Sequence, residues 1–323
     1  MKIRPRINRW TASRRDLLFD GSLLNSLVQP HFVVEGSGID APIHGMPNIN
    51  QQSVDVLLET IKEDACHGIN AVMLFGVVAN EHKDGEAAHA YDSSSHLHQA
   101  VTKIKETFGD EIVVMTDVCL CTATDHGHCG LVHDGEIVND ASVEVLCDIA
   151  VSHAKAGADY VCASDMMDGR VSAIRSALEE AGKSDTGILA YSVKFASSFY
   201  GPFRHAAQSS PNFGDRSTHQ MDIRSGYDEA ILEANLDESE GADIIMIKPA
   251  LSYLDVVRKV AENVVRPIAV YNVSGEYAMV MNATTDEENR KRMVIEILTS
   301  FKRAGAHVIV TYHAREAARK NWI

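Results

Sequence analysis

Two lysines close short apolar runs, Ile188-Leu-Ala-Tyr-Ser-Val-Lys194 and Ile244-Ile-Met-Ile-Lys248. Lysine is seldom buried without cause, because taking an ammonium out of water disfavours its charged form. An amine held there loses its proton readily and becomes a nucleophile able to form an imine with a carbonyl compound. One strand-end lysine is equally explained by structural pairing with a carboxylate or a carbonyl. Two in one chain point to chemistry.

A second constellation is Asp117-Val-Cys119-Leu-Cys121-Thr-Ala-Thr-Asp-His126-Gly-His128-Cys129-Gly130. Cys-x-Cys leaving a strand puts two sulfurs on one side, and a third cysteine returns through a glycine-containing loop. Three thiolates make a soft site suited to zinc. With no fourth cysteine nearby, one coordination position is left for water or substrate, as a catalytic zinc requires. A closed structural site completed by His126 or His128, or three unliganded core cysteines, are the other readings. A third feature is the pair Arg204 and Arg216, beside aromatic residues and glycines in an acidic chain. They suit a carboxylate ligand, or equally a loop pinned to surface acids. Asp168-Gly-Arg170 reads as a helix N-terminus with a salt-bridge partner.

The elements that must position these residues alternate. Strand patterns fall at 31–34, 71–76, 112–117, 160–163, 188–193, 244–248, 268–272 and 308–312, apolar on both faces as covered parallel strands are. Helix-like stretches lie near 51–66, 96–108, 142–156, 170–182, 226–239, 252–264 and 286–303. The turns Ala156-Gly-Ala-Asp159, Glu240-Gly-Ala-Asp243 and Ala304-Gly-Ala-His307 repeat a helix-end glycine before a strand. This pattern predicts a (β/α)8 TIM barrel over 29–323, preceded by a polar arm over 1–28 lying outside the core. No glycine-rich phosphate fingerprint supports a doubly wound sheet. Barrel enzymes carry their chemistry at strand C-terminal ends. Here those ends hold Asp117, Cys119, Cys121, Ser164, Asp165, Lys194, Lys248, Ser274 and Tyr312. The long interval from Lys194 to Ile244 reads as an irregular active-site lid.

Composition narrows the function classes. The chain has 323 residues, 45% hydrophobic, with a formal charge of -15, which argues against a nucleic-acid or anionic-membrane surface. No apolar run approaches the roughly 18 residues of a membrane span. The start, Met1-Lys-Ile-Arg-Pro-Arg, lacks the apolar segment of a secretory signal. Six cysteines are too sparse for a disulfide scaffold and indicate a reducing compartment, the cytoplasm.

With these residues in place, the chain resembles the porphobilinogen synthase (5-aminolevulinate dehydratase) family. The resemblance runs through Asp117 to Gly130, Ser164-Asp-Met-Met-Asp-Gly-Arg170, Tyr191 to Arg204, Phe213-Gly-Asp-Arg216, Gly241 to Ala250, Tyr271 to Met279 and Lys302-Arg-Ala-Gly-Ala306. It implies a barrel whose N-terminal arm embraces a neighbouring subunit, in a homo-octamer built from dimers. It also implies condensation of two 5-aminolevulinate molecules to porphobilinogen with loss of two waters. In that pattern Lys194 and Lys248 are the Schiff-base lysines, Lys248 holding the substrate that supplies the propionate side. Ser274 and Tyr312 bind that substrate's carboxylate, while Arg204 and Arg216 bind the other's. Cys119, Cys121 and Cys129 form the zinc site, and Glu233 falls where some members bind an allosteric magnesium ion. By position alone, Asp117 and Asp165 tune the lysines and metal ligands or shuttle protons.

The chain departs from the family at Thr122-Ala123, where an aromatic is expected after the second cysteine, and at Cys162-Ala163, expected as Ala-Pro. In the lid, Ser217 stands for an expected basic residue and His219 for a tyrosine. These bear on lid motion and turnover. Two other classes compete: a non-catalytic zinc-binding relative, and an aldolase-type lyase. The first has no use for both lysines, both arginines, Ser274 and Tyr312; the second needs one lysine and no thiolates.

Overall fold

Strands form where apolar residues fill both faces, since each lies between the barrel interior and a helix. The computed structural model describes residues 3–323; Met1 and Lys2, at the tip of the expected arm, lie outside the described residues. Among the described residues, eight parallel strands follow one another around a closed ring. They are β1 (Leu27–Val33), β2 (Ala71–Gly76), β3 (Val113–Val118), β4 (Tyr160–Ala163), β5 (Gly187–Lys194), β6 (Ile244–Lys248), β7 (Ile268–Asn272) and β8 (Val308–Thr311). The ring closes where β8 returns to β1, with Leu27 opposite Ile309 and Val28 opposite Val310.

The helices are α1 (Ala12–Phe19), α2 (Val54–Cys66), α3 (His96–Phe108), α4 (Asn139–Ala156), α5 (Arg170–Glu180) and α6 (Gly201–Ala206). They continue with α7 (Tyr227–Glu240), α8 (Leu254–Ala261), α9 (Ser274–Ala283), α10 (Glu287–Ala304) and α11 (Ala314–Arg319). Gly241 shows why the turn motif repeats: it ends α7 at φ 105°, a left-handed conformation that costs a residue with a Cβ.

Two apolar layers result. Phe32, Met73, Phe75, Met115, Tyr191, Met246 and Tyr271 fill the barrel; Leu146, Ile174, Val257 and Leu298 pack between strands and helices. Full burial of such a side chain stabilises the fold by about 1.5–3 kcal/mol. No helix among the described residues is long and apolar enough to cross a membrane.

The arm departs from expectation. Ile7, Leu17 and Leu18 are buried, and the first strand already begins at Leu27. Asn8 Nδ2 donates to the Asp243 carbonyl at 2.8 Å, and its Oδ1 accepts from Tyr160 OH at 2.9 Å. Arg14 donates to Asp159 Oδ1 at 2.9 Å and to the Asp185 carbonyl at 3.1 Å. Residues 4–18 therefore lie against the N-terminal end of their own barrel. One isoleucine and the adjacent pair Leu17-Leu18, set amid charge, give no periodic signal.

Candidate active site

β6 brings Lys248 inward by plain alternation. Ile244 and Met246 belong to the barrel interior and Ile245 to the helix-facing layer, as does Ile247, so the next residue faces in. β5 needs an irregularity to do the same. Leu189 and Tyr191 face in, so unbroken alternation would send Lys194 outward. The β5–β6 register shifts instead: Ile245 pairs with Ala190 but Ile247 with Val193. The added residue on β5 is a bulge. It turns Val193 toward the helices and Lys194 into the barrel, directly opposite Lys248.

Both lysines are buried. Lys194 Nζ donates to the Ser164 carbonyl at the end of β4. Lys248 Nζ lies among ring faces, 4.4 Å from the Tyr271 centroid, 5.1 Å from Tyr191 and Phe203, and 5.2 Å from Tyr200. Burial, followed by the neighbouring Lys194 charge, pushes the Lys248 amine down to about 7, against Asp117 and Cys121, which favour its ammonium. Asp117 is held above the usual carboxylate range by burial, opposed by a Ser164 hydrogen bond and by both lysines. Asp165, fully buried, is pushed up to about 6 in spite of Arg170 and the Met167 N–H.

The three expected cysteines converge. The Cys119, Cys121 and Cys129 sulfurs all lie within 4.8 Å of one another, with Cys119 and Cys121 at 3.4 Å. Zinc bonded at about 2.3 Å in a tetrahedron sets sulfurs about 3.8 Å apart, so the donor set fits that ion in both type and spacing. Cys129 is the readiest anion: the Cys119 and Cys121 thiols donate to it and Arg216 faces it, holding it well below the usual thiol range.

The segment after β5 crosses the mouth. Phe195 N–H and Tyr200 OH both donate to the Lys248 carbonyl, at 2.9 and 3.1 Å. The Phe203 ring packs on Phe75 and Phe32, its N–H donating to Ser274 Oγ at 2.9 Å. Gly275 allows this approach, since a Cβ there would lie 2.5 Å from the Phe199 carbonyl oxygen. The expected wholly irregular lid thus contains α6.

The other expected residues divide. Ser274 and Tyr312 stand at the mouth, Tyr312 OH lying 3.0 Å from Tyr271 OH. Arg204 lines a wide outer cavity with Asn80, Lys83 and Asn212. Arg216 is buried instead, donating to the Gly127 and Ser209 carbonyls at 3.0 and 2.6 Å with the sulfurs beside it. Arg170 starts α5 and makes a two-point ion pair with Asp237, at 3.0 and 2.9 Å. Glu233 lies away from the lysines on α7, near Arg170, Asp237 and Asp168, its carboxyl pushed up to about 6 by burial. His126 and His128 do not join the thiols; His128 Nε2 meets the Phe213 carbonyl at 2.9 Å. The aromatic faces around Lys248 are the functional group that spacing alone overlooks, although Tyr191 and Tyr271 lie within the family-like segments.

Fold and site together define a (β/α)8 enzyme with paired lysines and a thiol cluster at one mouth. The family described as delta-aminolevulinic acid dehydratase matches residues 2–320. The dehydratase of that name from Synechococcus elongatus is 47% identical, covering 98% of each chain. Its counterpart from Bacillus subtilis is 48% identical over 91% of this chain and 90% of its own. Among solved structures, the Toxoplasma gondii delta-aminolevulinic acid dehydratase (porphobilinogen synthase), in complex with the reaction product porphobilinogen, has a TM-score of 0.89 at 44% identity. It covers 99% of this chain and 92% of its own. A Xanthomonas albilineans dihydropteroate synthase, 8% identical with a TM-score of 0.50 over 92% of this chain and 90% of its own, shares the fold alone. This chain belongs to the delta-aminolevulinic acid dehydratase family.

Proposed function

We propose that this chain condenses two 5-aminolevulinate molecules to porphobilinogen with loss of two waters. The observation that carries the proposal is the facing of Lys194 and Lys248 across the β5–β6 register in one buried mouth. Held side by side there, two ketones meet in an effectively unimolecular step. Lys248, with its amine near neutrality, adds to one ketone carbon, and the carbinolamine loses water to leave an imine. The aromatic faces around Nζ favour the cationic form of that imine. Lys194 forms the second imine, and deprotonation beside an imine gives the enamine that makes the carbon–carbon bond. Asp117, its carboxyl raised and within reach of both ammonium charges, takes and returns these protons. Forming the ring carbon–nitrogen bond frees the lysines. The lid, tied to the Lys248 carbonyl and Ser274, excludes the water that would hydrolyse the imines early. Ser274 and Tyr312 hold one carboxylate and Arg204 the other. Arg216, as it lies, supports the thiolates; its contact with substrate requires the lid to shift.

Cys119, Cys121 and Cys129 would hold zinc, which when bound supplies a Lewis acid for a carbonyl or leaving-water oxygen. Glu233 would be the chain's own ligand for an allosteric magnesium ion, the remaining donors coming from water or a neighbouring subunit, since Arg170 holds Asp237. Trp10 and Phe19 on the arm and Leu232 and Leu236 on α7 remain exposed, consistent with a homo-octamer of this chain in the cytoplasm. Borohydride with 5-aminolevulinate should label Lys194 or Lys248. Porphobilinogen formation should vanish on chelation and return with zinc. An unlabelled protein, or labelling by aldol substrates alone, rejects the proposal.

A further inference from the structure

A row of imidazoles runs from solvent toward the outer side of the thiol cluster, and the reaction above makes no use of it. His82 is exposed, its Nε2 3.5 Å from Glu35 Oε2. Its ring stacks on half-buried His89 at 5.2 Å between centroids and an angle of 10°. His89 lies 5.8 Å from His96, which is only 6% exposed. His89, His96 and His153 then line a cavity of about 20 Å³ together with Ser95, Asp117 and Cys119. That volume holds one atom-sized guest.

The lining is unfinished. Both ring nitrogens of His96, Nε2 of His89 and Nε2 of His153 make no well-aligned hydrogen bond. Buried polar atoms in this condition are costly unless something visits them. Burial keeps the buried rings neutral, His96 at about 4 and His153 at about 3. His153 is engaged by Thr116 Oγ1 at 3.1 Å, whereas His96 leans only on the Val33 backbone, which leaves one of its nitrogens open to a guest. Neutral imidazole suits divalent ions of zinc's class. The approach is acidic: Glu35 faces His82, and the Asp92 charge acts on His89, with Lys83 the opposing cation beside them in the chain. Among the described residues, however, only the three cysteines converge closely enough to hold an ion. The histidines are spaced for passage, whereas the thiols are spaced for residence.

Access from the mouth is obstructed, because Cys119 and Cys121 are each 4% exposed and Cys129 not at all beneath the lid. We infer that His82, His89 and His96 form an inlet through which a divalent cation reaches Cys119 from outside the barrel, without the lid opening. This inference rests on the reading of the three thiols as a zinc site.

Cobalt(II) uptake by chelator-stripped protein tests it, since thiolate-to-cobalt absorption reports arrival at the sulfurs independently of catalysis. Charged clefts change association rates by about 10–10³-fold. His82→Gln/His89→Gln and, separately, His96→Leu should each slow uptake at least about tenfold while reaching the wild-type plateau. The first variant alters only the outer two rings, so slow uptake there cannot come from a disturbed core. Wild-type rates in both variants overturn the inlet. A lowered plateau at an unchanged rate also overturns it, because it makes the imidazoles resting ligands. Absence of the absorption band in the wild type overturns both the inlet and the thiol-site reading.

Discussion

β5 and β6 deliver the same side chain to the same level of one cavity by different means. β6 relies on strict alternation, with Ile245 and Ile247 outward and Lys248 inward. β5 relies on the residue added between Ala190 and Val193. The lesson is about robustness: alternation is enforced by every side chain of a strand, whereas a bulge is a single local decision. Lys248 is therefore fixed by its whole strand, and Lys194 by one irregularity.

The comparison can be broken most directly at Lys248. Lys248→Met should lower activity by at least about 10⁴-fold and abolish borohydride labelling at that position, while melting no lower than wild type because a buried amine is replaced by an apolar chain. Porphobilinogen formation at the normal rate in this variant sinks the mechanism. Lys194→Met should cost about 10²–10³-fold and leave labelling of Lys248 intact. Deleting Ser192 removes the added residue, so alternation alone turns Val193 outward and Lys194 inward; with circular dichroism confirming the fold, the variant should keep most of the wild-type activity. A folded deletion variant as inactive as Lys194→Met refutes the role given to the bulge.

A smaller effect reads the surroundings of Lys248 by pH. Imine formation needs the free amine, so trapping at Lys248 should fall as pH drops through about 7 and level off above it. A limb near the ordinary lysine value of 10.5 contradicts the burial effect. Asp117 favours the Lys248 ammonium. Asp117→Asn should therefore move the limb to lower pH, the smallest of these changes, and a limb moving upward would contradict the assignment.

Much of the site was legible because its residues sit at strand ends, where apolar runs stop abruptly. Cys119, Cys121 and Cys129 could be grouped from spacing because a strand and a short loop leave them little freedom. The bulge was not legible: counting from Tyr191 gives Lys194 the wrong face. The burial of Arg216 was not legible either, because the loop that folds it onto the Gly127 and Ser209 carbonyls has no periodicity. α9 escaped notice because Gly275, needed for the lid's close approach, weakens its helical pattern. The arm failed for a related reason. Ile7 joins the barrel-interior layer from a charged, aperiodic segment, and one apolar residue there carries no phase.

One backbone oxygen joins two of these stories. The carbonyl of Lys248 anchors both Phe195 and Tyr200, so in the proposed mechanism the imine-forming residue also latches the door. On that reading, a tug on its side chain during bond making would reach the gate within one peptide unit. Capture and closure thus share a single mechanical joint, with no relay through the barrel wall.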